Sequence, residues 1–279
     1  MKDFIKRLLK LMGFYVIKIN KSTNQGVDTA AYSNLGEELY IDKYLKSVTL
    51  ENQICIDIAA SDGVKMSNTK FLYDKGWGGI AVEYDPEKFA LLAGFYLKYP
   101  DVYLIKNKVI PDNVNYILKS CMIPRNFSFL NFDIDSYDYF VLEKILEEFR
   151  PSLICAEINE NIPPPIKFTV KYDPSFVFKS DHFFGQSISQ LYDLCLKNDY
   201  IIVELFYNNA FLMPREICKW KSLAPEEAYA EGYRNKKDRR KHFPWNDDME
   251  ELLHMNPEEG IKFLENKFAC YKDKYICSL

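Results

Sequence analysis

From residue 53 onward, short apolar runs alternate with stretches whose apolar residues recur every three or four positions. That alternation predicts strands and helices in turn, and hence an α/β domain with a parallel sheet. Strands are expected at residues 53–58, 79–83, 102–105, 127–134 and 153–158. Helices are expected around 68–75, from Pro86 to about residue 99, and over 137–149. Proline is favoured in a first helical turn, as Pro86 is placed, and Pro151 marks a helix end behind it. Residues 159–184 show no period, hold Pro163-Pro164-Pro165 and are rich in aromatics. An insertion of that length inside a compact domain predicts a lid or substrate loop. A helix follows over 187–197, and then two β-type runs, 200–206 and 210–213, are separated only by Tyr207-Asn208-Asn209. So short a connection permits only an antiparallel hairpin.

A series of α/β units closed by an antiparallel hairpin differs from the wholly parallel dinucleotide-binding sheet. It resembles the layout of class I methyltransferases that use S-adenosylmethionine. The expected fold class is α/β, a Rossmann-like sheet, mostly parallel with a closing antiparallel hairpin, plus N-terminal and C-terminal helical extensions. The division expected is a basic helical arm over 1–49, a core over 50–215 carrying the loop 159–184, and a helical extension over 216–279 with no strand in it.

Composition narrows the class. A chain of 279 residues, 48% apolar and 27% charged, is neither disordered nor collagen-like and suits one decorated domain. The net charge of −4 argues against a dedicated nucleic-acid binder, and the basic run 234–241 reads as a solvated helix face. Charge is uneven, however. Residues 1–22 carry six basic residues against Asp3, a local +5 that leaves −9 for the remainder. Phe4, Ile5, Leu8, Leu9 and Met12 fall there at helical spacing, with Asp3 as N-cap. This segment is expected to pack on the body or in a homodimer contact, with peripheral attachment to an anionic membrane as the alternative. No small-residue cleavage site follows it, so it does not read as a signal peptide. No apolar run reaches the ~18 residues of a membrane span. Seven scattered cysteines without a CxxC pair suit reduced thiols and a cytoplasmic protein.

The candidate chemistry lies at the predicted strand ends. Small residues in the turn from Ala59 through Ser61 to Gly63 let a cofactor approach the backbone at a helix start. Asp57 and Asp62 suit the ammonium group of a bound amino acid and would repel a pyrophosphate, which favours S-adenosylmethionine over a nicotinamide dinucleotide. The alternative for this turn is an ordinary βα connection with Asp as a helix cap. Glu83, about 20 residues further on, can take both ribose hydroxyls. Asn107, past the third strand, is a candidate for an adenine edge. Asp133-Ile134-Asp135 places two carboxylates on one face at the fourth strand's end. Glu157 and Asn159 repeat the spacing at the fifth. Oxygen ligands from Asp135, Glu157 and Asn159 suit Mg²⁺, a sulfonium or sugar hydroxyls. His182, in the long loop, is the candidate general base, with Asp135 as its rival and Asp181 beside it.

The chain resembles the FkbM-type class I methyltransferases, notably those of bacterial polysaccharide and secondary-metabolite clusters. The matching pieces are Asp57 to Gly63 with Ser67-Asn68-Thr69, then Gly76-Trp77-Gly78-Gly79 leading to Glu83. Asn131 to Tyr139, Ala156 to Asn159, Phe184 to Ser187 and Asn209-Ala210-Phe211 follow, so that the resemblance covers residues 50–215. Ala59 departs from the family's usual Gly, and Gln186 stands where a smaller residue is expected. The resemblance implies S-adenosylmethionine as cofactor, with Asn68 and Asp133 joining the binding set, and methylation of a hydroxyl on a sugar or nucleotide-sugar. Phe168, Tyr172, Phe176, Phe178 and Phe183 would line a cover that excludes water. Two rival readings remain: a metal-dependent glycosyltransferase, from the Asp-x-Asp spacing, and a non-catalytic scaffold.

Overall fold

The computed structural model describes residues 32–279; the basic segment 1–22 lies outside the described residues. The first helix, α1 (Glu37–Lys46), precedes the alternation read from the sequence. There follow β1 (Ile54–Ile58), α2 (Lys70–Asp74), β2 (Gly78–Glu83), α3 (Pro86–Tyr96), β3 (Val102–Lys106) and α4 (Val114–Ser120). Next come β4 (Phe129–Phe132), α5 (Asp138–Glu148), β5 (Leu153–Glu157), β6 (Lys167–Val170), α6 (Ile188–Lys197), β7 (Tyr200–Phe206) and β8 (Asn209–Pro214). Local chemistry explains the boundaries. Asp85 caps α3, its Oδ1 accepting from the N–H groups of Glu87 and Lys88 at 2.9 Å, with Pro86 in the first turn. Such a cap contributes about 1 kcal/mol. Ser187 caps α6 by accepting from Gln190 N at 3.2 Å.

The seven-stranded sheet has the order β3-β2-β1-β4-β5-β8-β7. Its strands run parallel except β8, which is antiparallel to both β5 and β7. This is the mostly parallel sheet with a closing hairpin expected of the class I methyltransferase fold. The hairpin turns on Tyr207 and Asn208, with Tyr207 at φ 55, the positive φ that a tight hairpin demands. Strand residues alternate between two buried layers, as a doubly covered sheet requires. Ile56, Ile80, Leu130, Ile154 and Ile202 face the layer of α4–α6, while Cys55, Ala81, Phe129, Cys155 and Ile201 face the layer of α1–α3. Gly79 sits at φ 144, and a Cβ there would lie 1.8 Å from the Cys55 carbonyl oxygen, so the β1–β2 pair requires glycine.

Two expectations change. Residues 159–184 hold a strand, β6, and the C-terminal region, expected to be purely helical, ends in β9 (Tyr275–Ser278). These two strands pair antiparallel, Lys167 opposite Ser278. A third apolar cluster binds the insertion to the tail: Ile162, Ile166, Phe168, Val170 and Phe183 pack with Met249, Leu252, Leu264 and Phe268. The reason is burial. A four-residue strand with an apolar face is not stable alone, and its partner lies about a hundred residues away, beyond the reach of a local pattern. The helix α4 between β3 and β4 also escaped the sequence reading. The tail itself is built from α7 (Pro225–Tyr229), a wide turn at Ala230–Arg234, α8 (Arg239–His242), tight turns over Pro244–His254, and α9 (Pro257–Lys267). Within the basic run, Arg239 and Arg240 both pair with Glu250. All seven cysteines are free. No described helix is long and apolar enough to cross a membrane.

Candidate functional site

The chain diverges to either side of β1 and β4, and an α/β sheet binds ligands beyond the carboxyl ends of its strands at such a point. A cleft of about 400 Å³ opens there, lined by Asp57, Ala59, Ser61, Asn68, Glu83, Asn107, Asp133 and Asp135 among others. Sequence-predicted residues from the ends of four strands are thus brought together. Asp57, 2% exposed, is held from both sides: Thr69 Oγ1 donates to Oδ2 at 2.6 Å and Asn131 Nδ2 to Oδ1 at 2.9 Å. Asn131 in turn accepts from Asn68 Nδ2 at 3.0 Å, so the amides are fixed in one orientation. Burial raises the Asp57 carboxyl to about 6, against the lowering effect of its two donors, and the Glu83 charge adds to the rise. Glu83 is anchored by both oxygens, accepting from Ser61 N at 2.8 Å and Asp85 N at 2.7 Å.

The connecting turn is wound tightly, with Ala59, Ser61 and Gly63 at φ 67, 53 and 72. Ala59 therefore keeps the left-handed conformation that a glycine would adopt freely, at a cost of about 1–2 kcal/mol. Asp62 does not line the cleft; its Oδ1 accepts from Val64 N and Lys65 N at 2.9 and 2.8 Å, closing the turn, while the next helix starts only at Lys70 behind Thr69, so it is not the helix cap of the alternative reading either. Gly63 is also outside the cleft. A Cβ on it would lie 2.4 Å from Leu92 and 2.5 Å from Tyr96, so its role is to let α3 pack onto the turn.

Beyond β4 the chain bends at Asp135, φ 53, over Asp138, which accepts from Ile134 N at 3.0 Å and Ser136 N at 2.8 Å. Carboxylate oxygens of Asp133, Asp135 and Glu157 come within 4.8 Å of one another. Burial first, and then their mutual repulsion, push the Asp133 and Glu157 carboxyls well above the usual range. Asp135 is raised by burial and pulled back by Lys88. Asp133 Oδ1 is buried without a hydrogen-bond partner. Three such groups cannot all ionise without a cation or shared protons. Asn159, expected in this set, lies elsewhere. Its Nδ2 donates to the carbonyls of His182 at 2.8 Å and Phe184 at 3.0 Å, and its Oδ1 accepts from Asn161. It tethers the insertion, and Asp133 occupies the place it was assigned.

A second cavity of about 460 Å³ adjoins the first, sharing Asp135 and Phe178 with it. Its wall includes Glu157, Glu160, Asp181, His182, Phe184 and Asn208, together with Phe243, Trp245 and Asn246 from the tail. His182 Nε2 lies 2.8 Å from Asp248 Oδ1, and Asp248 also pairs with Lys267. Asp181 is not the orienting group; it accepts from Tyr271 OH and Phe183 N. Asn208, at the hairpin tip, donates to Glu157 Oε1 at 2.7 Å.

Of the aromatics expected on the cover, Phe176 and Phe178 line the first cleft. Phe168 and Phe183 are almost fully buried among Phe268 and Tyr275, because the tail packs on them, and Tyr172 rests on Tyr137 with ring centroids 4.9 Å apart. Asp248, Asn246, Trp245 and Glu160 were missed by sequence reading. No local motif marks them, since Glu160 and Asn246 stand 86 positions apart.

No protein-family model matches the chain, and no curated protein matches it. Among solved structures, it is similar to the N-terminal domain of EvdMO1, crystallised in the presence of SAH and D-fucose. That match has 9% identity and a TM-score of 0.44 over 77% of this chain and 96% of that one. An S-adenosylmethionine-dependent methyltransferase from Clostridium acetobutylicum ATCC 824 matches at 11% identity and TM-score 0.41, covering 76% of this chain and 98% of that one. One from Aquifex aeolicus matches at 12% identity and TM-score 0.37, covering 62% and 89%.

Proposed function

We propose that the protein is an S-adenosylmethionine-dependent methyltransferase acting on a hydroxyl of a sugar or sugar-like acceptor. The observation that carries this reading is the pair of adjoining cavities: a cleft over the ends of β1–β4, where the carboxylates of Asp57, Glu83, Asp133 and Asp135 gather beside Lys65, Lys88 and Lys108, meets at Asp135 and Phe178 a chamber holding His182. The donor set suits the cofactor. Asp57 and Asp133 offer negative charge to an α-ammonium, Glu83 has a fixed carboxylate for the ribose hydroxyls, Asn107 on the cleft wall is the candidate for the adenine edge, and the turn Ala59–Ser61 brings backbone close. When bound, S-adenosylmethionine supplies a methyl group already activated on a sulfonium, so the protein's task is orientation and removal of one proton. Holding the acceptor oxygen in line is worth up to roughly 7–11 kcal/mol in well-oriented systems.

His182 takes the hydroxyl proton. Asp248 engages Nε2 and fixes the tautomer, which leaves Nδ1 as the basic nitrogen. The carboxylates of Asp133, Asp135 and Glu157 fit a hard divalent ion such as Mg²⁺, their oxygens being the ligands it prefers, and Asp133 Oδ1 being without another partner. There the ion would lower the pKa of a coordinated hydroxyl. Calorimetric titration with S-adenosylhomocysteine tests the cofactor assignment: Glu83→Gln should weaken binding about tenfold or more. Unchanged affinity, or no binding to the wild type, sinks it. Activity insensitive to EDTA would remove the Mg²⁺ role.

A further inference from the structure

The second cavity carries features that the methyl-transfer reading does not use. Glu160 is 2% exposed and lines it. Its Oε1 accepts from Asn246 Nδ2 at 2.6 Å, and its Oε2 has no partner. Asn246, 3% exposed on the same wall, is fixed by that bond and by a 3.2 Å contact from Nδ2 to Tyr233 OH, which leaves its Oδ1 also without a partner. Two buried acceptors without donors are costly, on the order of 1–3 kcal/mol each; burial accordingly raises the Glu160 carboxyl to about 7, and a cationic ligand would supply hydrogens to both oxygens. The remaining wall is aromatic and acidic: Trp245 and Phe178 face the space with Glu157 and Asp135, and no lysine or arginine among the described residues lines it.

We propose that this cavity is the seat of an amino sugar, whose ammonium group bonds Glu160 Oε2 and Asn246 Oδ1. This rests on the methyltransferase reading and names its acceptor class. An ammonium brings three donors and no acceptor, which matches two orphan acceptors, whereas a hydroxyl brings only one hydrogen. The aromatic rings add attraction for a cation and a flat surface for the sugar ring. Without a cation on Asp135 and Glu157, a phosphate or carboxylate would meet acidic oxygens and no compensating charge. The group seated at Glu160 and Asn246 is therefore unphosphorylated.

The test is calorimetry with methyl glucosides bearing an amine at C3, C4 or C6, set beside the acetamido, hydroxyl and phosphate counterparts, with and without S-adenosylhomocysteine. In metal-free buffer, at least one amine should bind about tenfold or more tightly than its hydroxyl counterpart, and the phosphate should not bind. Glu160→Gln should erase that difference while leaving S-adenosylhomocysteine affinity unchanged. Equal or weaker binding of all the amines, or a preference for the phosphate, overturns the proposal. So does a Glu160→Gln variant, folded by circular dichroism, that keeps the preference. If S-adenosylhomocysteine binds and the amines fail, only the acceptor class falls. If the amines bind and S-adenosylhomocysteine does not, the methyltransferase reading falls instead.

Discussion

Replacing Asp57 by asparagine separates what this carboxylate does for the fold from what it does for a ligand. The side chain is buried at the head of β1, and its pKa rises from 3.8 to about 6, chiefly through burial. A rise of that size corresponds to ~3 kcal/mol favouring the protonated form in the folded state. The folded protein therefore holds this proton more tightly than the unfolded chain does. The penalty is absent below pH ~4, grows as pH rises toward 6, and is constant above that. Asparagine removes the charge and keeps both partners, its oxygen accepting from Asn131 Nδ2 and its amide donating to Thr69 Oγ1. Asp57→Asn should thus raise unfolding stability by about 1–3 kcal/mol at pH 8 and by much less at pH 4. The same variant should lose S-adenosylhomocysteine affinity, because a neutral amide offers an ammonium no charge. Urea unfolding at the two pH values, followed by calorimetry at pH 8, checks both halves. Destabilisation of equal size at pH 4 and pH 8 would refute the burial reasoning. A stabilised variant with unaltered ligand affinity would show that the charge serves some other purpose.

Three further outcomes follow from the geometry. His182→Ala should lower kcat by about 10²–10⁴-fold with cofactor affinity retained, and Asp248→Asn by less, since it disturbs only the orientation of the imidazole; stopped-assay kinetics beside calorimetry would expose a different ordering. Ala59→Gly should raise stability by roughly 0.5 kcal/mol, relief of the left-handed alanine outweighing glycine's greater unfolded-state entropy, and a loss in chemical denaturation would contradict it. Deleting residues 275–279 removes β9 from β6 and should expose the 167–184 segment to proteolysis while leaving the seven-stranded sheet folded; limited digestion with circular dichroism distinguishes that from global unfolding.

Hydrophobic periodicity carried the sheet a long way. The runs at β1–β5, the interval too short for a crossover at Tyr207, and the acidic residues at strand ends follow from local rules about pleat, turn length and proline. Those rules place Asp57, Glu83, Asp133 and Glu157 at one edge before any coordinates exist, because parallel strands share their carboxyl end. Local rules cannot say which partner a carboxylate finds. Asp62 and Asp57 look alike in the sequence, yet one caps its own turn and the other is clamped by Thr69 and Asn131. Asn159 repeats the strand-end spacing and still spends its amide on the loop backbone. The tail shows the limit most clearly. Its pairing of β9 with β6, its burial of Phe168 and Phe183, its delivery of Trp245 and Asn246 to the second cavity, and its bond from Asp248 to His182 all join residues far apart in sequence, up to the 111 positions between Lys167 and Ser278. Such contacts form because apolar and polar surfaces left over from two distant segments satisfy each other, and that complementarity exists only once the chain has folded.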